Sequence, residues 1–385
     1  MRPIAILSCL GIATLVASAL ACSGSPSDSG FSGSSSSSGG NSSGSSGGSS
    51  GGSSGGSSGS GGSSGGFGST SSSGGPSDAS GDMVVITTKT TIYANTDDTL
   101  YSVDPMTNAV TMIGAIAGAG GEGGVGTITD CAVNANGDVY LNSESAVFKA
   151  TLPATPPGTV NITQVATLGS GTYFYALAFA PQGALDANNE TLVGGDSKGN
   201  LYAINTSSGA TTNLGSFGND ASAACGTAPC VFELSGDVVF YNDAMNNPTG
   251  LATIRSCPQG GKSSGCTADW LAGVDMTALK TAYTSGTPAA TLLKGIYGGN
   301  GANLGPGTGY HDVFGLGAWN TEVFGFTRHT TSQSTPMLIK VDTGSGAGTM
   351  VSNNFSFMNG WSGAGVTTKV TITVPPPPPP PPNNQ

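Results

Sequence analysis

The chain has 385 residues, with 64 Gly, 22 Pro and only 9% charged residues, against roughly a quarter in an average soluble domain. Its net charge is −11, and between Met83 and Val374, 19 Asp and Glu face 10 Lys and Arg with no basic cluster. Affinity for nucleic acid or anionic lipid headgroups therefore has no electrostatic basis.

Met1 to Ala21 carries one basic residue, Arg2, then an uncharged apolar run from Ile4 to Leu20, and ends in Ala19-Leu20-Ala21 before Cys22. This is the pattern of a secretory signal, residues 1–21, to be left out of fold reasoning. A freely secreted protein and a single uncleaved span are the alternatives; 17 residues fall at the short edge of the spanning range. Residues 22–82 follow as a Ser/Gly tract, with 49 Ser or Gly among the 58 residues from Ser23 to Ser80. Such a segment buries almost nothing to offset the entropy of ordering and is expected to be a flexible tether. Its root-mean-square reach is about 40 Å, at about 5–6 Å times the square root of residue number.

Residues 83–374 are the stretch able to bury a core, and repetition is their informative feature. "TLYSVDPMTNAVTMIG" from Thr99 aligns with "NLYAINTSSGATTNLG" from Asn200 and, more loosely, with "MLIKVDTGSGAGTMV" from Met337. "AVFKATLPATPPGTVNITQVATLG" is the same unit with a longer turn. Each is an alternating strand, a turn-forming cluster and a Thr-rich return strand. A second unit, strand, Gly-containing turn and aromatic strand, precedes each hairpin, as in "DCAVNANGDVYLN" from Asp130, "CVFELSGDVVFYND" from Cys230 and "HDVFGLGAWNTEVFGFT" from His311.

The markers Tyr101, Phe148, Tyr202 and Thr253 lie 47, 54 and 51 residues apart, and Ile339 lies 86 further on. Four strands per 40–55 residues is the arithmetic of a β-propeller, here of about six four-stranded blades, with N- and C-terminal strands closing one blade. Tandem β-sandwich domains share the short strands and regular turns and are the alternative fold. "ADWLAGVDMTALKTAYTSG", Ala268 to Gly286, has helical spacing and is expected as an insertion in an irregular repeat. Pro375 to Pro382 is expected to be a stiff polyproline II end within a tail of residues 375–385.

Two resemblances follow from these motifs. "SALAC" resembles the lipobox of bacterial lipoproteins, which implies lipidation at Cys22 and, with Ser23 next, an outer-membrane location. The repeats of 83–374 resemble the quinoprotein-like and WD-like propeller repeats in style. Pyrroloquinoline-quinone enzymes of that kind carry a Gly-Lys-x-x-Trp motif, whereas these hairpins end in Thr and Gly, so the resemblance implies no such cofactor.

Five cysteines fall in the body. Cys225 and Cys230 bracket a short turn-rich segment, as do Cys257 and Cys266, and in an exported chain these are expected to form two local disulfides. Cys131 is left on an apolar strand, where a buried thiol is the ordinary outcome. With no Cys-x-x-Cys and two histidines, metal spacing is absent. Gly118-x-Gly120-x-x-Gly123 leads into a β-rich run rather than a helix, so it is not a dinucleotide site. Asp130, Tyr175, His311, Asp312 and Trp361 occupy comparable strand starts and are the candidate lining of a channel mouth; His329, in a polar hairpin, is expected to be solvated.

The expected function is that of a cell-envelope lipoprotein, periplasmic or surface-exposed, presenting its propeller to a protein, glycan or envelope ligand. The alternatives are a hydrolase or lyase using His311 and Asp312 at the channel mouth, and a purely structural surface protein.

Overall fold

The computed structural model describes residues 91–120, 124–169, 173–225, 228–259, 265–299, 304–328, 335–357, 360–369, 371–372 and 377, with backbone only at 222–225, 228 and 371–372. All fall within the unit Met83–Gln385. The signal, Cys22, the tether, His329 and the tail prolines other than Pro377 lie outside the described residues.

The described chain is mostly β, with one helix. Its strands are β1 (Ile92–Asn95), β2 (Thr99–Val103), β3 (Val110–Ile116), β4 (Asp130–Val133), β5 (Val139–Asn142), β6 (Ala146–Thr151), β7 (Gly158–Thr167), β8 (Phe174–Ala180), β9 (Thr191–Asp196), β10 (Asn200–Ile204) and β11 (Thr211–Ser216). They continue as β12 (Asn219–Cys225), β13 (Ala228–Asp243), β14 (Pro248–Pro258), β15 (Trp270–Val274), then helix α1 (Met276–Ser285), β16 (Leu293–Ile296), β17 (Val313–Trp319), β18 (Glu322–Thr327), β19 (Leu338–Val341), β20 (Gly348–Ser352), β21 (Gly363–Gly365) and β22 (Thr371–Ile372).

The aligned repeats become identical hairpins. At the β2–β3, β10–β11 and β19–β20 turns, Asp104, Asn205 and Asp342 donate their backbone N–H to the carbonyls of Ala109, Ala210 and Ala347, each at 2.9 Å. Asn108, Gly209 and Gly346 donate back across the turn at 2.7, 2.8 and 2.7 Å, with φ of 59°, 73° and 73°. The turn needs a left-handed residue there, which Gly and Asn adopt with least strain. The leading Asp or Asn side chain accepts the turn's free N–H groups, as Asp104 does from Met106 and Thr107. The same chemistry recurs because the same backbone donors recur.

The strands form five antiparallel meanders in chain order: β21-β1-β2-β3, β4 to β7, β8 to β11, β13 to β16, and β17 to β20. A parallel β3–β7 pairing joins the first two into one eight-stranded sheet, and β12 extends the fourth. The innermost strands touch in cyclic order, β21 to β4 to β8 to β13 to β17 and back to β21. The first meander is completed by the C-terminal strand, with Tyr93, Ala94 and Asn95 opposite Gly365, Ala364 and Gly363.

Among the described residues five meanders stand where about six four-stranded units were expected. Thr253 is not equivalent to Tyr101: it lies in β14, the second strand of its meander, and the third is β15. "CVFELSGDVVFYND" is one continuous strand, β13, with a register irregularity between Leu234 and Val238 where a turn was expected. The helical expectation holds only from Met276. "WLAGV" is buried at every residue between β14 and β16, so its apolar run is a strand, and Asp275 starts the helix by accepting from Thr277 and Ala278.

The C-terminal segment crosses the far ends of the inner strands. The Thr367 hydroxyl donates to the Asn134 carbonyl at 2.8 Å and that of Thr368 to Glu190, whose other oxygen accepts from Ala135 at 2.9 Å. β22 then pairs in parallel with Asn242 and Asp243 of β13. Pro377 sits against β15, so close that a Cβ on Gly273 would lie 2.5 Å from its Cγ.

Candidate functional site

The axis of the inner strands is occupied by two acids. Asp130 opens β4 and Asp237 sits at the irregularity of β13; both are fully buried. Asp130 accepts backbone N–H groups from Cys131 at 2.7 Å and from Leu177 of β8 at 2.5 Å. Asp237 accepts from Val238 at 2.6 Å and from Leu316 of β17 at 2.5 Å. The carboxyls also hydrogen-bond each other. Burial, with the second acid adjacent, pushes the Asp130 carboxyl well above the usual range. Like charges side by side disfavour ionising both carboxyls.

The chain approaches this point so closely because glycines stand where side chains would clash. A Cβ on Gly363 would lie 1.9 Å from an Asp130 oxygen, and one on Gly236 would lie 2.2 Å from the Phe314 Cα. Past the acids, the axis holds a cavity of about 10 Å³ lined by Ala132, Leu177, Val238, Phe240, Gly365 and Val366 among others, room for about one water.

The five candidate mouth residues do not share one surface. Asp130 is sealed on the axis, and Trp361 is fully buried, edge-on to Tyr101, Phe326, Phe355 and Phe357 at centroid distances of 4.7–5.3 Å. Trp361 is thus a core residue between the first and last meanders. Tyr175, His311 and Asp312 remain part-exposed at the starts of β8 and β17. Asp312 has φ 53° and pairs with Arg255 at 3.1 Å, so it faces β14.

Close by, Asp269 is fully buried and accepts from the Ser235 hydroxyl at 2.5 Å and the Val313 N–H at 2.7 Å. Burial outweighs these bonds and pushes its carboxyl up to about 7. Desolvation likewise raises the Glu233 carboxyl, opposed by Arg255. The face at the inner-strand starts therefore presents Tyr175, Phe314, His311 and the Arg255–Asp312 pair around a closed axis.

On the same face, Arg328 at the end of β18 grips Asp97 in the β1–β2 turn with both terminal nitrogens, at 2.8 and 3.0 Å, while the Ser362 hydroxyl donates to Asp97 at 2.6 Å. The pair is only 12% and 17% exposed and ties the last meander to the first. Arg328→Met is expected to lower stability by about 2–3 kcal/mol, between the values for exposed and buried pairs, because Asp97 loses its cation in a partly dry setting. Chemical denaturation of both proteins measures this.

Cys257 and Cys266 form a disulfide, as expected. Cys230 is also disulfide-bonded, while the Cys225 side chain lies outside the described residues. Cys131 is a buried free thiol whose Sγ lies 3.7 Å from the Tyr93 carbonyl, and burial raises its pKa, which removes the reactive thiolate. Among the described residues one group of three metal-type donors, Glu233 with Cys257 and Cys266, comes together, but its two sulfurs are joined to each other.

Sequence reasoning placed Asp130 at a strand start but missed Asp237, Asp269, Arg255 and Arg328. The signal for Asp237 was present: "DVVF" repeats the acid-then-apolar order of "DCAV".

The chain matches no protein-family model and no curated protein. Among solved structures it is similar to a Bacteroides caccae protein of unknown function, at 9% identity and TM-score 0.36, over 72% of this chain and 98% of that one. It is also similar to a symmetrical protein described for its de novo evolutionary emergence, at 15% identity and TM-score 0.33, over 68% and 90% of the two chains. The computationally designed Ika8 protein matches at 10% identity and TM-score 0.27, over 71% and 60%. Likenesses this low identify no family.

Proposed function

We propose that this chain is an exported lipoprotein that holds a five-bladed β-propeller away from a membrane and works by binding an envelope protein or glycan, without chemistry in its channel. The propeller reading is supported by five meanders whose inner strands follow one another cyclically, an order that two packed sandwiches do not have. The observation that carries the binding reading is the filled axis: Asp130 and Asp237 seal it with fully buried carboxyls, and the cavity beyond is too small for a substrate. A ligand would meet the rim instead, where Tyr175 offers a part-exposed ring and Arg255–Asp312 a charged pair.

The anchor is tested by labelling the full chain in cells with alkynyl palmitate. Label and membrane association are expected for the wild type and lost together in Cys22→Ala. A wild-type chain that stays unlabelled and soluble refutes the lipoprotein reading. The binding reading is tested on a glycan array and isolated envelopes, where retention should fall in Tyr175→Ala. Retention unaffected by rim substitutions, or turnover that depends on His311, would overturn it.

A further inference from the structure

The Asp130–Asp237 pair does more than fill space. Its two carboxyls accept main-chain N–H groups from four inner strands, Cys131 of β4, Leu177 of β8, Val238 of β13 and Leu316 of β17, and β21 lies against Asp130 at Gly363. We propose that this pair is a proton-dependent lock on the ring: one shared proton holds the two carboxyls together and, through them, the inner strands β4, β8, β13 and β17, and losing that proton loosens the ring.

The surroundings support the lock. Asp130 carries the proton and donates it to Asp237, and each of the four oxygens, the protonated one included, keeps a lone pair for the one N–H it accepts. The titratable groups acting on the pair are each other and the Cys131 thiol, which burial keeps neutral; β8, β17 and β21 contribute main chain only. No cation is among them, so a second negative charge would be uncompensated in a dry site. Gly363 lets β21 approach Asp130 of β4, and Gly236 lets β13 approach Phe314 of β17.

The sign follows from linkage. The folded-state pKa of Asp130 lies above its unfolded value, so the folded chain binds the extra proton and stability falls as pH rises from the unfolded pKa toward the folded one. Asp269, raised to about 7, acts in the same direction up to neutral pH. The expected result for the full chain is an unfolding constant that increases with pH, approaching tenfold per unit for each proton held.

The experiment is urea unfolding of the full chain from about pH 5 to about pH 9, for the wild type, Asp269→Asn, Asp130→Asn and the double variant. In the Asp269→Asn background the rise should persist above neutral pH, and Asp130→Asn should remove it, because its amide donates to Asp237 without a titrating proton. A slope unchanged by Asp130→Asn overturns the lock. Where Asp130→Asn does not accumulate, carbon-13 NMR of aspartate-labelled wild type at about pH 8 decides. One carboxyl resonance still at the protonated position supports the lock, and all carboxyls at the ionised position overturn it.

Discussion

Trp361→Ala is expected to lower the unfolding free energy by about 3–5 kcal/mol, the range for removing a large buried aromatic. The indole is fully buried and meets Tyr101 from β2, Phe326 from β18, and Phe355 and Phe357 from the segment leading to β21. Those partners belong to the first meander, the last meander and the segment leading to β21, so the cavity would open between the first and last meanders. The rings cannot collapse into it without shifting main chain that is already paired. Urea denaturation should show the loss, and Trp361→Phe should recover much of it, because the indole Nε1 has no hydrogen-bond partner among the described residues. A near-neutral Trp361→Ala would mean that closure does not depend on this cluster.

Gly363→Ala should destabilise by about 3 kcal/mol or more, at the upper end for overpacking. Its new Cβ would lie 1.9 Å from an Asp130 oxygen and 2.5 Å from the Asp130 Cα. A side chain can turn away; a Cα cannot. Relief requires β21 to slide off β1, where Gly363 is registered opposite Asn95, or β4 to leave the axis. Gly169→Ala serves as the control, since a Cβ there meets nothing within 4 Å. That surface change should stay within about 0.5 kcal/mol. Equal effects at both positions, read by thermal and urea unfolding, would contradict the close approach at the axis.

Much of this architecture was legible before any coordinates. The three hairpins were visible because their turns need the same chemistry, an Asp or Asn to accept loose N–H groups and a Gly or Asn to turn left-handed, and that chemistry leaves spaced letters. Strand order within a meander followed, since short turns force neighbours to pair. The fourth meander was misread for the complementary reason. Ser235-Gly236-Asp237 has the letters of a turn, yet β14 pairs with β13 on both sides of it and holds the strand through. "WLAGV" was taken with the helix after it because a fully buried strand shows no alternation.

The candidate site divides along the same line. His311, Asp312 and Tyr175 were placed by counting strand starts, and they do stand part-exposed at those positions. Trp361 occupies an analogous place in the chain but not in space, because four aromatic rings distant in sequence surround it. Asp130 was named as a mouth residue when its position is inside the closure.

From its letters alone, this protein's mostly β character, its repeated hairpins and the Cys257–Cys266 pairing could be determined, because each depends on residues close together in the chain. The five meanders among the described residues, the sealed axis and the burial of Asp130 and Asp237 were decided only in the folded molecule. They arise where β4, β8, β13, β17 and β21, spread along the chain from Asp130 to Gly365, come together. Whether a carboxyl there is solvated, paired or protonated depends on neighbours that no local pattern specifies.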